Sequence, residues 1–597
     1  MTPPQIREIA VNSAEVYYNY LEDNDKGLQI IEVFDVKSFF IGNSLQLELR
    51  LSAKIVDIDS IFIHLQTNNK RYDVVQFKYD EEDFVEEETT ETNEEVKAKK
   101  PTVLFVNYNE NKHTLRIEIE DKYIREFKNL NSNDIYVISD LKFLVWRVRD
   151  WYEKNGAKID LPKQVSILKD KTHEIEYLEG LTPSENQKQS LYNIFNNPFS
   201  YIWGAPGTGK TQFVLAYAVL HYIRNGHRIG ILAPTNNALE QVLRGVIKMT
   251  DKAGIPRSAI ERMGRPSQLF AEEFPEVCPN LKKKSEPAEE NVETEQNVQL
   301  IACTLDFYAN EYKDHKMKVQ HLFLDEAGYA NMIKAGMLFN HKVPITFLGD
   351  HAQLPPVCEV NDFSIEKEKE LENMFLWAQS AVYFETLFDL SKEEIRYQYL
   401  KNITPTLRHV SKTLLNTTYR FAENLAKVLG FHVYSLDFSS GKKDSITQIR
   451  YIQASKEEEH KSRTSISEVI SIKSLTTILK RKGVSDYAIL TPYKKQVKLL
   501  GQHLPDERRE LKIMTVHGSQ GREWDTVIIS VTDTSDKWFV DSLNPLSRGL
   551  NLVNTAVSRA RKELIIVCDT NYWKQQTGQL ISDLIKIGEE AKIDNLF

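Results

Sequence analysis

GAPGTGKT, residues 204–211, satisfies GxxxxGK[ST] and stands between the apolar run Ser200–Trp203 and a helical pattern that ends near Gly226. Glycines at this spacing let successive backbone N–H groups turn toward phosphates at a helix N-terminus. Gly204, Gly207, Thr208 and Gly209 form such a cradle. Lys210 would reach the β and γ phosphates of ATP, and the Thr211 hydroxyl would hold Mg²⁺. A strand, a glycine-rich turn and a helix in this order point to an α/β fold built on a parallel sheet.

The pattern repeats outward from the turn. Arg228–Ala233, His321–Leu324 and Ile345–Leu348 are short apolar runs, each followed by polar or glycine-rich residues. A second α/β half begins near 400, with strands expected around Tyr487–Leu490, Lys512–Thr515, Thr526–Val531 and Leu564–Val567. Upstream, Leu45–Ile55 and Thr114–Glu120 alternate apolar and polar with period two, the pattern of half-buried strands. Asp140–Asn155 reads as an amphipathic helix with an Asp cap and Gly156 beyond its end. Residues 1–178 are therefore expected to form a β-rich accessory domain with a supporting helix. Residues 179–398 form the P-loop half, with an insertion near 255–297, and 399–597 form the second half.

Composition narrows the class. The chain has 597 residues and a net charge of −9, but Asp80–Glu95 alone carries ten acidic residues and no basic one, which leaves the remainder near +1. A basic channel in such a body can still grip phosphates, so the charge excludes no nucleic-acid role. The acidic stretch 80–100 reads as a solvated loop and the low-complexity piece Lys282–Gln296 as an excursion or flexible insertion. Cys278, Cys303, Cys358 and Cys568 are scattered without a CxxC pair, which fits a reducing compartment rather than a disulfide framework. No apolar run reaches the ~18 residues that span a bilayer, and the first residues lack the apolar core of a signal peptide. A cytoplasmic protein with no membrane contact is expected.

Two further motifs supply carboxylates and an amide. HLFLDEAG ends an apolar run at Asp325 and Glu326, about 115 residues after the P-loop. Asp325 would organise Mg²⁺, and Glu326 would orient and deprotonate an attacking water. GDHAQLPPV, residues 349–357, places Gln353 in a Gly- and Pro-constrained turn, where it would sense the γ-phosphate.

GAPGTGKT, LAPTNNALEQVL (232–243), LDEAG, GDHAQLPPV, TPYKKQ (491–496), TVHGSQGREWDTVIIS (515–530) and NTAVSRARKELIIV (554–567) occur in this order. The set resembles superfamily 1 helicases, in the branch that holds the nonsense-mediated-decay RNA helicase and its DNA-acting relatives, over about 180–570. The resemblance implies two RecA-like domains with ATP in the cleft between them, nucleic acid across their top, 5′→3′ movement, and an N-terminal β-barrel on a helical stalk. Carried over residue by residue, it implies that Gln187 reads adenine, Tyr419 stacks on the base, Arg420 contacts the γ-phosphate, Glu523 binds ribose and Arg559 is the arginine finger. On the nucleic-acid face it implies Pro234, Thr235, Asn236, Thr304, Tyr493 and Thr515 as backbone contacts, which position a strand without reading its sequence. Arg561 and Lys562 read equally well as helix-end cations.

The chain departs from the family pattern at three places. Thr418 and Phe421-Ala422 flank Tyr419-Arg420 where the family has Gln and Met-His-Pro. His517 stands where Asp is usual, and Ala327-Gly328 where Ala-Ser or Ser is usual. None of these removes a phosphate ligand. Two functions stay open: an ATP-driven helicase or translocase on single-stranded DNA or RNA, and an ATP-gated clamp that docks a protein partner through the N-terminal region. A P-loop kinase or GTPase does not fit, since neither carries QGRE and SRAR in a second half and no suitable NKxD follows the P-loop.

Overall fold

A computed structural model of the chain describes residues 1–24, 26–42, 44–53, 55, 62–67, 70–75, 102–109, 112–140, 142–178, 182–278, 298–311, 318–455, 463–534 and 539–591. Asp80–Glu95 and Lys282–Gln296, read above as a solvated loop and as an excursion or flexible insertion, lie outside the described residues. The chain divides into two compact units, one of 1–7, 155–256 and 317–597, the other of 8–154 and 257–316.

In the second of these, seven strands close into a barrel, in the order Leu28–Ile41, Ser44–Leu51, Thr114–Ile119, Thr102–Asn109, Arg71–Val75, Phe62–Thr67 and Ile135–Asp140. Alternation decides the wall: Leu45, Leu47, Leu49 and Leu51 all face the interior, opposite Leu115, Ile117 and Ile119. The helix expected over 140–155 runs Lys142–Asn155 and pairs with Pro3–Asp23 through Arg149 and Glu15 (3.1 Å) and the edge-on rings of Tyr18 and Trp146. Residues 260–262 and 300–304 add a short parallel pair.

The other unit holds two parallel sheets, so the α/β class read from the P-loop is the fold. Five strands of the first lie in the order Ile229–Ala233, Leu322–Leu324, Ile345–Gly349, Phe199–Gly204 and Ser411–Leu415. The last strand lies beyond residue 400 and still belongs to the P-loop sheet, so the chain leaves that sheet only after Leu415. The second sheet runs Ile513–Thr515, Tyr487–Thr491, Trp524–Ser530, Ala560–Cys568, Gln448–Gln453 and Glu589–Glu590. Three of the five strands in the first sheet are buried along their whole length and Phe199–Gly204 at all but Trp203, as a parallel sheet covered on both faces requires.

The strand ends Leu324 and Gly349 are neighbours, and the backbones beyond them touch. Ala327 N–H donates to the Leu348 carbonyl (2.9 Å). A Cβ at Gly328 would stand 2.4 Å from the Asp350 carbonyl oxygen, and one at Gly349 would stand 2.6 Å from the Gly328 nitrogen. This explains glycine at the position where the family usually carries Ser. Gly328→Ala is expected to cost about 1–3 kcal/mol of stability, by forcing two strand ends apart. The check is a urea titration, in which an unchanged midpoint would contradict the contact.

Candidate active site

The P-loop follows its strand directly. Gly207 and Gly209 adopt φ of +77° and +86°, which a side chain would strain. A Cβ on Gly207 would meet Arg420 Cβ at 2.5 Å, and one on Gly209 would meet Gln187 Nε2 at 2.8 Å, so the cradle is lined by backbone alone. Thr208 Oγ1 donates to the Ala205 carbonyl (2.8 Å), and Lys210 Nζ donates to the carbonyls of Gly204 and Ala205. The turn opens a helical segment that continues as Ala216–Arg224.

Just past the strand Leu322–Leu324, two places along the sheet from the P-loop strand, Asp325 is buried, and its Oδ2 accepts from Thr211 Oγ1 (2.7 Å). Its other oxygen, Oδ1, is buried with no hydrogen-bond partner. Burial, and next the negative charge of Glu326, push the Asp325 carboxyl up to about 6. Glu326 itself sits at φ +52°, a left-handed conformation that costs a non-glycine residue energy and recurs at functional sites.

Gln353 lies between two partners. Its Nε2 donates to Asp350 Oδ2 (2.9 Å), and its Oε1 accepts from Arg559 Nη2 (3.1 Å). That second bond joins the loop after the P-loop sheet to the start of the strand Ala560–Cys568 in the second sheet. Around it, Asn551 donates to the Gln353 carbonyl (2.7 Å), Asn554 to the Ala352 carbonyl (2.9 Å), and Thr555 Oγ1 accepts from Leu354 N–H (3.0 Å).

Tyr419 and Arg420 are tied to the cradle by backbone. Tyr419 N–H donates to the Gly207 carbonyl (2.8 Å), and Thr418 Oγ1 donates to the Pro206 carbonyl (2.7 Å). Thr418, a departure from the family pattern, thus anchors the Tyr-Arg segment to the P-loop, while Phe421 is buried in the core of the second sheet. Arg420 pairs with Glu523 (2.6 Å) and donates to the Ser558 carbonyl (3.1 Å). Tyr419 is half-exposed, with its ring against Gly441. Arg559 is buried, and burial, then the neighbouring Arg420 charge, lower its guanidinium to about 10.

These residues fit a polyphosphate and a divalent cation. A backbone-lined cradle, two buried guanidiniums and the unpartnered Asp325 Oδ1 are complementary to a bound anion with its metal, since buried polar atoms are ordinarily paired.

The remaining expected residues are engaged differently. Gln187 is the third residue of a capping box: its Oε1 accepts from Ser184 N–H (3.0 Å) and its Nε2 donates to the Thr208 carbonyl (3.3 Å). It therefore braces the P-loop. Thr235 caps the helix Asn236–Lys252 by accepting from Ala238 N–H (3.2 Å), and Pro234 is partly exposed just before it. Asn236, Thr304 and Tyr493 are buried. Thr304 belongs to the barrel unit and accepts from Phe307 N–H (3.1 Å), while Tyr493 donates its hydroxyl to Asp533 (2.7 Å). Thr515 accepts from Gly518 N–H (3.2 Å). Three of these side chains cap their own turns, which leaves backbone groups for any contact with a strand. Asp350, Tyr434, Asn551 and Asn554 were not singled out from the sequence. Asp350, inside GDHAQLPPV, and Asn554, which opens NTAVSRARKELIIV, lay within motifs, whereas Tyr434 and Asn551 did not.

Models of two AAA-domain families match residues 187–359 and 395–571. The chain is 24% identical over 427 residues to "ATP-dependent helicase upf1" of Schizosaccharomyces pombe, an alignment covering 64% of this chain and 44% of that protein. It is 24% identical over 408 residues to human "DNA replication ATP-dependent helicase/nuclease DNA2", covering 65% of this chain and 37% of that one. The chain thus spans less than half the length of these curated relatives. Among solved structures, an arterivirus nonstructural protein 10 (helicase) aligns over 93% of this chain and 81% of its own, at 11% identity and a TM-score of 0.38.

The buried Asp325 sets a pH dependence. Its folded value lies above the ordinary 3.8, so its contribution to stability is complete below about pH 4 and is lost as pH rises through about 6. Wild-type stability relative to Asp325→Asn is therefore expected to fall across that window and level off above it. Urea unfolding of both proteins at each pH checks this, and a difference that stays flat from pH 4 to 7 would contradict the assigned burial.

Proposed function

We propose that this chain, which belongs to the superfamily 1 helicases, is a nucleic-acid-stimulated ATPase that moves 5′→3′ along single-stranded DNA or RNA and separates duplexes. One observation carries the reading: Gln353, beside the P-loop strand, is hydrogen-bonded to Arg559 at the start of a strand of the second sheet, which supports a nucleotide site drawn from both sheets. Phosphoryl transfer builds charge on equatorial oxygens, and cations placed from a second body stabilise it only while the cleft is closed.

The roles follow from position. Lys210 and the backbone of Gly204, Gly207, Thr208 and Gly209 hold the phosphates of ATP. Thr211 and Asp325 would hold Mg²⁺, which would supply charge neutralisation to the phosphates. Glu326 takes a proton from the water that attacks the γ-phosphate, giving ADP and phosphate. Gln353 and Arg420 read the γ-phosphate, Arg559 acts as the finger, Tyr419 stacks on the base and Glu523 binds ribose. Gln187 contributes to the adenine pocket while bracing the P-loop. Pro234, Thr235, Asn236, Thr304, Tyr493 and Thr515 lie on elements that track the strand, through backbone amides where side chains are already engaged. The expected functional divisions are an accessory domain over 1–178 and RecA-like domains over 179–398 and 399–597, with Ser411–Leu415 completing the first sheet from beyond the 398 boundary. Among the described residues no helix is long and apolar enough to cross a membrane, and a cytoplasmic location is consistent with that.

A second reading, an ATP-gated clamp, draws on the same inward-turned Thr235, Thr304, Tyr493 and Thr515 side chains, which leave few groups to grip a moving strand. Strand displacement separates the two. ATP hydrolysis is expected to rise on adding single strands and to fall on the order of 100-fold in Lys210→Ala or Glu326→Gln. A duplex with a 5′ overhang should open faster than one with a 3′ overhang, with DNA and RNA substrates run side by side. The reverse preference would overturn the polarity, and hydrolysis without displacement on either substrate would select the clamp.

A further inference from the structure

Tyr434 has no place in the motifs, yet it stands where the sensor loop meets the second sheet. Its hydroxyl donates to Asp350 Oδ2 (2.7 Å) and accepts from Asn554 Nδ2 (2.9 Å). Asp350 is buried, and its carboxylate takes four donors: Trp203 Nε1 (3.0 Å) and Ala352 N–H (3.0 Å) on Oδ1, Gln353 Nε2 (2.9 Å) and the Tyr434 hydroxyl on Oδ2. Four donors saturate the lone pairs of a carboxylate. The Gln353 amide therefore has one orientation, with Nε2 on Asp350 and Oε1 left for Arg559.

We propose that Tyr434 is a positioning residue for ATP turnover: its hydroxyl locks Asp350, and through it the Gln353 carboxamide, to the position of the helix Gly549–Val557 that carries Asn554. The geometry makes a closed circuit. Asp350 leads to Gln353 and Arg559 on one side, and to Tyr434 and Asn554 on the other; Asn554 lies in the last turn of the helix Gly549–Val557, and Arg559 follows two residues past its end. A shift of that helix moves both ends together, so the sensor amide and the finger stay in register. Tyr434 suits the task because burial and the Asp350 charge hold its phenol well above 10, which keeps the hydroxyl a donor at any working pH. Its ring is fixed against Phe438 (4.8 Å between centroids), so the hydroxyl has little freedom to seek another partner.

Without the hydroxyl, Asp350 Oδ2 keeps a lone pair for Gln353 alone, Asn554 loses an acceptor, and the amide can turn. None of the hydrogen bonds given above for these side chains goes to the P-loop backbone. The proposal rests on the ATPase reading above, and the test compares four proteins: wild type, Tyr434→Phe, Gln353→Ala and the double variant, each with single-stranded nucleic acid and varied ATP. Tyr434→Phe is expected to lower kcat about tenfold while moving KM for ATP less than about threefold. In the Gln353→Ala background it should cost nothing further, because the group it positions is gone. Asn554→Ser, which withdraws the donor to the same hydroxyl, should show the same split and the same loss of effect without Gln353. A wild-type kcat in Tyr434→Phe, an equal rise in KM, or an undiminished loss in the Gln353→Ala background would each overturn the assignment. Lys210→Ala serves as the reference. If it abolishes turnover while Tyr434→Phe matches wild type, only the positioning role falls; if it has no effect, the ATPase reading falls and takes this role with it.

Discussion

Two guanidiniums held close together in a buried cleft are the constraint from which the rest of the nucleotide site follows. Burial lowers the affinity of both Arg420 and Arg559 for a proton, and the Arg420 charge lowers that of Arg559 further, to about 10. Such a pair is costly unless negative charge sits between or beside it. The protein supplies part of that charge with Glu523, at 2.6 Å from Arg420, and a more distant part with Glu326. A triphosphate seated on the P-loop would supply the rest, so nucleotide binding and the approach of the second sheet stabilise each other. Arg420 reaches the cradle through the backbone bond from Tyr419 to Gly207, while Arg559 reaches it from the second sheet through Gln353.

The parallel sheet explains why the reacting groups converge. The strands ending at Leu324, Gly349 and Gly204 are successive neighbours, so the residues after each strand, Asp325, Asp350 and the P-loop, emerge along one edge. Ligands of open α/β sheets bind at that edge because the strand ends aim loops and helix N-termini at the same space. Here the edge is unusually tight. Gly328 and Gly349 bring two backbones into contact, and Glu326 is held at positive φ beside them. In the water-orienting role proposed for it, a carboxylate fixed in this way would need little rearrangement on reaching the transition state.

Much of this was legible in the sequence because the chemistry is local. The P-loop, Asp325-Glu326 and the Gln353 turn each announce themselves by spacing over a few residues, and the barrel strands by period-two alternation. What was not legible depends on pairing across the chain. Ser411–Leu415 lies past the expected start of the second half, yet its partner is Phe199–Gly204, and no local pattern encodes that choice of neighbour. Tyr434 is one tyrosine of 26, and only the approach of Asp350 and Asn554 from distant segments gives its hydroxyl a task. Thr304 and Tyr493 show the converse. Their positions in family-like motifs suggest strand contacts, whereas folding directs their side chains to a turn and to Asp533.

Arg559 is where the proposed dependence of one ATP site on both sheets is most open to test. Binding of a non-hydrolysable ATP analogue and single-turnover ATP hydrolysis by Arg559→Ala, measured on the same preparation, test it directly. The expected result is analogue affinity within a few-fold of wild type and hydrolysis slower by about a thousandfold, the scale on which arginine fingers act. Hydrolysis near the wild-type rate would contradict the account, because the P-loop sheet would then suffice without the second.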